Sequence, residues 1–416
     1  MTHIRGAVAG VALAACALSA QIPQQEYQWR RANARKALDG GVLVLFGRTA
    51  AEMEEHSPAV MQEPNFRYLT GWTRPGAILL LSPAREILFL PGHNPDREKY
   101  TGPHPAASDP DIRAVTGFED VLPVEQFESQ LAKALESSAS IAALLREPYV
   151  ARLKSLAPLR ELTDADGKLG PLRAKKSAAE IDAMRRSTDV GVEAHLAAWR
   201  RIAPGLFEYQ VAATTTSLML ERGCEGDAYP PIVASGPNAT ALHYSENTRL
   251  MQAGELVLMD VGSECAGYAT DITRTVPVSG KFAPRQRELY EIVLGAQKAA
   301  IAALRPGVTL PQLNQIVRDY LDGHGRDLEG GPLGRYLTHR ISHGVGLAVH
   351  DDPPASSTEP LEAGMVITIE PGLYISEEKI GIRIEDTLLV TENGCRNLSA
   401  ALPREPVEIE RSMERR

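Results

Sequence analysis

Four acids and two histidines stand at spacings where side chains could do chemistry. Asp260 and Asp271 lie in the stretch LVLMDVGSECAGYATDITRT, residues 256–275. The apolar run 256–258 ends at Asp260, a turn follows with Gly262, Ser263 and Gly267, and residues 268–276 form a second β-rich run. That pattern predicts a hairpin with Asp260 late in one strand and Asp271 early in the other. Buried carboxylates are costly unless they are paired or hold a cation, and Arg274 alone is one charge short. Taken by itself, the pair is equally consistent with turn aspartates on the surface. Further on, Glu370 ends the apolar run 364–370 before a Pro-Gly turn, and Glu385 lies in the run GIRIED. Strand alternation puts Ile380, Ile382 and Ile384 on one face, and Gly381, Arg383 and Glu385 on the other. Between them, S-H-G-V-G and V-H-D place His343 and His350 seven positions apart beside a Gly-rich bend.

Asp260, Asp271, His343, Glu370 and Glu385 make four carboxylates and one imidazole. Four acids cannot all be ionised in one cavity without cations. Oxygen-dominated donors with one histidine suit a hard ion such as Mn²⁺ better than a thiolate-type zinc site. Two such ions roughly 3.5–4 Å apart hold a bridging hydroxide and polarise a carbonyl, which is the chemistry of hydrolysis.

The elements that must position these residues can be read from the rest of the chain. With 416 residues, two domains are expected, and 44% hydrophobic with 23% charged residues is an ordinary globular composition. In the first part, runs 42–46, 66–72, 77–81 and 86–90 predict strands of a covered sheet, and 28–38 and 124–135 predict helices over it. The polar stretch 163–176 reads as a linker. Ser177 and Glu180 then form a capping box that opens a helix, stopped by Pro204-Gly205, with a second helix over 208–222. The same order recurs: helices over 284–304 and 310–321, a Pro-Gly break 102 positions after the first, then strands. Two helices followed by a β-ribbon, used twice, predict a cavity between paired halves.

A net charge of −9 without a basic block argues against a nucleic-acid partner. Residues 1–20 carry an apolar, small-residue run after His3 and Arg5, the pattern of an export signal. Leu13-Ala14-Ala15-Cys16 also fits a lipobox, with Cys16 as a lipid anchor. The expected location is therefore periplasmic, secreted or lipid-anchored, or cytoplasmic if the leader is not one. Of the four cysteines, Cys224, Cys265 and Cys395 remain once a leader is removed; odd in number and without C-x-x-C spacing, they predict small buried hydrophobes rather than a disulfide or zinc framework.

The DITRT segment after Asp260, S-H-G-V-G-L-A-V-H-D, T-I-E-P-G-L-Y and I-R-I-E-D together resemble the creatinase/aminopeptidase P/methionine aminopeptidase group of "pita-bread" metallopeptidases. N-F-R-Y-L-T-G-W resembles the N-terminal domain of aminopeptidase P and prolidase, and I-V-A-S-G-P-N-A-T-A-L-H-Y-S-E-N resembles the aminopeptidase P stretch before its first aspartate. After the leader at 1–20, the resemblance implies an α/β (α+β) protein: a mixed-sheet creatinase-like domain over 24–165, and a pseudo-symmetric catalytic domain over 172–411. It implies an Xaa-Pro aminopeptidase with two divalent ions, Mn²⁺ first and Co²⁺ or Zn²⁺ as alternatives, acting through a bridging hydroxide. Asp260 would ligate one ion and His343 and Glu370 the other, with Asp271 and Glu385 bridging. Glu370 would also shuttle protons, His350 would donate to the scissile carbonyl oxygen, and His243 would lie near the proline. Arg383 would hold Glu385, helped by Tyr374, which with His243 and His350 would also contact the substrate. Gly344 and Val345 replace bulkier residues of related enzymes, which predicts a wider pocket wall. The implied partners are a peptide with proline second and further copies of the chain, as a homo-dimer or homo-tetramer. A prolidase, or a metal-free binding module of the same fold, would be the alternatives.

Overall fold

Strand and helix alternate through the first third because continuous apolar runs need cover on both faces. The computed structural model describes residues 22–54 and 62–414; the expected leader and Cys16 lie outside these residues. Val42–Phe46 pairs antiparallel with Ile78–Leu81 and parallel with Ser140–Ala143, at the centre of a six-stranded mixed sheet. Alternation divides its side chains between two cores: Leu43 and Leu45 enter one, and Val42, Val44 and Phe46 the other. Ala34 of the helix Gln24–Ala37 closes the first face, and Leu131 of Phe127–Ala134 closes the second.

Two elements differ from the sequence expectation. Residues 66–72, expected as a strand, lie mostly in the helix Pro64–Thr70. The Glu63 side chain accepts from the Phe66 N–H at 2.7 Å, Pro64 sits in the first turn, and Gly71 ends the helix at a left-handed φ of 66°. These terminal signals outrank an apolar run too short to distinguish strand from buried helix. Likewise, the stretch 163–176 is not a loose linker. Glu161–Asp164 adds an edge strand to the sheet and Asp166–Ala174 is a helix.

From Ser177 the predicted repetition is present. Ser177 and Glu180 make both capping-box hydrogen bonds at the start of Ala178–Arg201, a satisfied N-terminus that fixes where this long helix begins. The helix packs against Glu208–Glu221, as Pro284–Ala303 packs against Leu310–His324. Each pair backs a β-ribbon. The first joins Ile232–Ser235, Leu256–Asp260 and Thr273–Pro277; the second joins Val366–Ile369, Asp386–Thr391 and Gly394–Asn397. A continuous apolar core runs beneath both, from Trp199 and Val257 to Leu289 and Ile367. No helix among the described residues is long and apolar enough to cross a membrane.

The cysteine expectation is corrected here. Cys224, just past the second helix, and Cys265, in the small strand Ser263–Cys265, form a disulfide across 41 positions, while Cys395 is free. An odd count hid a pair that only folding brings together. Cross-linking a loop of this length restricts the unfolded chain and is worth about 2–4 kcal/mol. Cys265→Ser should therefore shift the denaturant midpoint downward, and reductant should move the wild type to match it. Coincident midpoints for the oxidised wild type and the variant would count against the bond.

Candidate metal centre

The two ribbons deliver their acids by register. Asp260 closes Leu256–Asp260 and faces Thr273 across the ladder, with Asp271 two residues before that partner. One buried imidazole ties the next residue after each acid: His195 Nε2 lies 3.3 Å from the Val261 carbonyl and 3.1 Å from that of Ile272. Glu370 follows the strand Val366–Ile369, and Glu385 sits between Ile380–Arg383 and Asp386–Thr391. His343 is held beside them, its N–H donating to Thr368 Oγ1 at 3.1 Å and its carbonyl accepting from Thr368 N at 2.9 Å. All five side chains line one cavity of about 660 Å³, together with His243, His350 and Arg383.

Asp271, His343 and Glu385 each offer a ligand atom within 4.8 Å of the others. His343 Nε2 is 3.5 Å from both Asp271 Oδ2 and Glu370 Oε1. Asp260 joins through two neighbours: Arg383 Nη2 donates to it at 2.6 Å, and the Tyr229 hydroxyl lies 2.5 Å from an oxygen of both Asp260 and Asp271. Burial, with repulsion from Asp271, Glu370 and Asp260, pushes Glu385 well above the usual carboxylate range. Burial likewise raises Glu370 to about 7, and raises Asp260 despite Arg383. Asp271 goes the other way: burial would raise it, but the hydrogen bond from His343 holds it low. Burial opposes a charged His343, yet Asp271 and Glu370 push it up to about 9. Acids that resist ionisation unless a proton or cation joins them are the electrostatic signature of a divalent-ion site. The oxygen-rich donor set fits such an ion.

Several neighbours were not foreseen or act differently. Arg383 holds Asp260 rather than Glu385; Glu385 instead accepts from Thr273 Oγ1 at 2.6 Å. Tyr374, expected against the substrate, stands one layer behind, accepting from Arg383 Nη1 at 2.9 Å. Its hydroxyl then donates to His339 Nε2 at 2.9 Å, because His339 Nδ1 donates to the Arg340 carbonyl at 2.8 Å. Burial holds His339 neutral, with a pKa lowered to about 4. His339 and Tyr229 carry no spacing signal beyond the four positions separating His339 from His343. His350 packs edge-on against His343, ring centres 4.4 Å apart, and burial followed by the charge of His343 lowers its pKa.

The wider wall expected at Gly344 and Val345 is also corrected, since neither lines the cavity. Val345 is fully buried beside Met184 and Val366. A Cβ on Gly344 would come within 2.4 Å of the Asp352 carbonyl group and 2.7 Å of Pro353 N, all backbone. Gly344→Ala should cost about 1–3 kcal/mol by overpacking and lower cation affinity by displacing His343. Unchanged thermal stability and calorimetric affinity would refute that.

The cavity also meets the first domain. Arg173, on the helix Asp166–Ala174, donates to Asn65 at 2.6 Å and to Asp351 at 2.5 Å, the residue after His350.

Comparison with known proteins gives concordant matches. The model for metallopeptidase family M24 matches residues 182–392, and that for the aminopeptidase P N-terminal domain matches 27–142. The Xaa-Pro aminopeptidase of Haemophilus influenzae is 34% identical, over 95% of this chain and 99% of its own length. The Xaa-Pro dipeptidase of Pyrococcus horikoshii is 35% identical over 82% and 91%. Among solved structures, proline aminopeptidase P II from Yersinia pestis aligns with a TM-score of 0.84 at 32% identity, covering 94% of this chain and 99% of that one. A zinc-substituted aminopeptidase P from E. coli in complex with product aligns at 0.85 and 30%, covering 94% and 98%. The chain therefore belongs to metallopeptidase family M24, as a metalloaminopeptidase of the aminopeptidase P group.

Proposed function

We propose that this metalloaminopeptidase removes the N-terminal residue from peptides whose second residue is proline. The observation that carries the reading is the convergence of Asp260, Asp271, His343, Glu370 and Glu385 on one cavity, with His243 and His350 on its wall. Two divalent cations held by those five residues, Mn²⁺ by preference, would supply an activated water and a Lewis acid. The protein's own groups do the rest. Glu370, reached by the Thr368 hydroxyl at 3.3 Å, is placed to accept and return a proton. His350, exposed on the cavity wall and with its pKa lowered, donates a hydrogen bond to the peptide oxygen as negative charge develops there. His243 flanks the proline, whose tertiary amide has the restricted geometry that calls for a dedicated pocket.

Relatives named as aminopeptidases and as dipeptidases match at similar identity, so sequence similarity does not separate the two activities. The cavity does favour one. Its lining takes in Asn314, Arg318 and Arg340 besides the acids and histidines, and a volume of about 660 Å³ leaves room for substrate past a dipeptide. Rates on Xaa-Pro-Yaa-Zaa, Xaa-Pro and Xaa-Ala-Yaa-Zaa with Mn²⁺, and again after chelation, test the reading. Cleavage of the first alone, lost on chelation, is expected. A dipeptide-only preference would make the enzyme a prolidase, and indifference to proline would overturn the specificity.

Two further proposals accompany this one. Export is supported by the leader pattern and by a disulfide, a bond that persists mainly in oxidising compartments. A homo-dimer or homo-tetramer is proposed from the family resemblance, and light scattering of the purified chain tests it.

A further inference from the structure

We propose that the part of the cavity lined by Arg340 and Arg318 is a subsite for a peptide carboxylate. Short Xaa-Pro peptides carrying that negative charge just beyond the proline are then the preferred substrates. The inference rests on the reading that the bond cleaved is the N-terminal one.

One cavity carries both signs of charge in its lining. Asp260, Asp271, Glu370 and Glu385 line one part, and the two arginines line another. Neither arginine is neutralised. Arg340 is exposed, and among the described residues no carboxylate stands within ion-pair distance of it. Arg318, on the helix Leu310–His324, spends its guanidinium on main-chain carbonyls, those of Gly334 at 2.9 Å and Leu337 at 3.5 Å. Those bonds aim the group without cancelling its charge. The one other acid on this wall, Asp351, is consumed by its buried pair with Arg173 at 2.5 Å. Asn314, on the same helix, presents a buried Oδ1 with no hydrogen-bond partner.

Arg340 is also held in place. His339 Nδ1 donates to its carbonyl at 2.8 Å, and the carbonyl of the next residue, Ile341, accepts from Glu370 N at 2.9 Å. The backbone at Arg340 is therefore fixed relative to Glu370, and its exposed side chain extends from that point. A peptide has the complementary polarity. Its ammonium belongs near the carboxylates, beside the first peptide bond, and its chain must leave along the cavity. The unneutralised positive charges in the cavity lining are those of Arg318 and Arg340. Guanidinium groups suit this task because their fork matches a carboxylate.

The carboxylate could be the C-terminus or an acidic side chain, and substrates can separate them. Xaa-Pro-Yaa and Xaa-Pro-Yaa-Zaa are assayed as free acids, as C-terminal amides, and as amides with Glu at the third or fourth position. The free acids should exceed the neutral amides by about tenfold in kcat/KM, mostly through KM, because uniform binding is what is lost. In Arg340→Ala that ratio should fall towards one, and in the wild type it should shrink as salt is added. An amide rescued by Glu identifies a side chain as the source; one left slow identifies the C-terminus. Equal wild-type rates on acids and amides, or an Arg340→Ala enzyme that keeps the full ratio, would overturn the subsite. Calorimetric binding of Pro-Yaa as acid and as amide reads the same preference without turnover. If no Xaa-Pro peptide is cleaved, the proposed function fails, while a tighter acid than amide in that titration still upholds the carboxylate site.

Discussion

Asp271→Asn should lose bound divalent cation and at least about 10³-fold in kcat/KM, beyond the 10–100-fold usual for losing an outer partner of a metal ligand. Asp271 is the acid most enmeshed in the cluster. It shares the 4.8 Å ligand group with His343 and Glu385, and accepts from Tyr229 at 2.5 Å. Its carboxylate is also the one held low by His343, hence the one that most readily carries charge. Asparagine keeps the shape but removes the charge, so a fold defect should not confuse the result. Tyr229→Phe makes the comparison: it strips a hydrogen bond from two acids and leaves both charges, so its loss should stay within about 10–100-fold. Metal content by elemental analysis and the rate on an Xaa-Pro peptide are measured together. An Asp271→Asn enzyme with full metal and a rate within tenfold would sink the assignment of the five ligands.

The largest stability effect is expected from Arg274→Met, at about 3 kcal/mol, the lower end of the 3–5 kcal/mol seen when a buried pair loses one partner. Arg274 and Asp386 are both completely buried and meet at 2.7 Å. The same guanidinium donates to the carbonyls of Thr273, Glu385, Leu402 and Pro403, so one side chain ties both ribbons to the C-terminal segment. Burial alone would raise the Asp386 carboxyl, but Arg274 outweighs it and holds it below the ordinary range. A depressed carboxyl stabilises the fold at neutral pH, and that contribution goes as pH falls through its folded value. Arg404, 3.2 Å from the other Asp386 oxygen, keeps the loss from being larger. Equilibrium denaturation should also show Asp386→Asn recovering part of the deficit in the double variant. A change under 1 kcal/mol for Arg274→Met would mean the pair is dispensable.

These two cases mark what the sequence shows and what it hides. Asp260, Asp271, Glu370 and Glu385 could be singled out because a carboxylate at the end of an apolar strand is a local anomaly, visible without any partner. Ser177 with Glu180 was legible for the same reason, since both halves of a capping box lie within one turn. The hidden features are all relations between distant segments. Arg383 reaches Asp260 across 123 positions, and Cys224 meets Cys265 only after a helix and a ribbon have packed. Tyr229 bridges two acids without any motif of its own. Residues 66–72 were misread because seven apolar-rich positions fit either period, and Glu63 and Pro64, just outside the run, decide the outcome.

The path from Asn65 through Arg173 to Asp351 bears on any attempt to trim the molecule. Asn65 belongs to the first domain, and the path ends one peptide bond from His350. Cutting the gene before Ser177 would discard Arg173 and strand Asp351, a fully buried acid, with Lys176 gone as well. A minimal enzyme made from the second half alone would thus begin with a wound beside His350, the oxyanion donor proposed above. Domain shuffling should place its junction ahead of Gln24 instead.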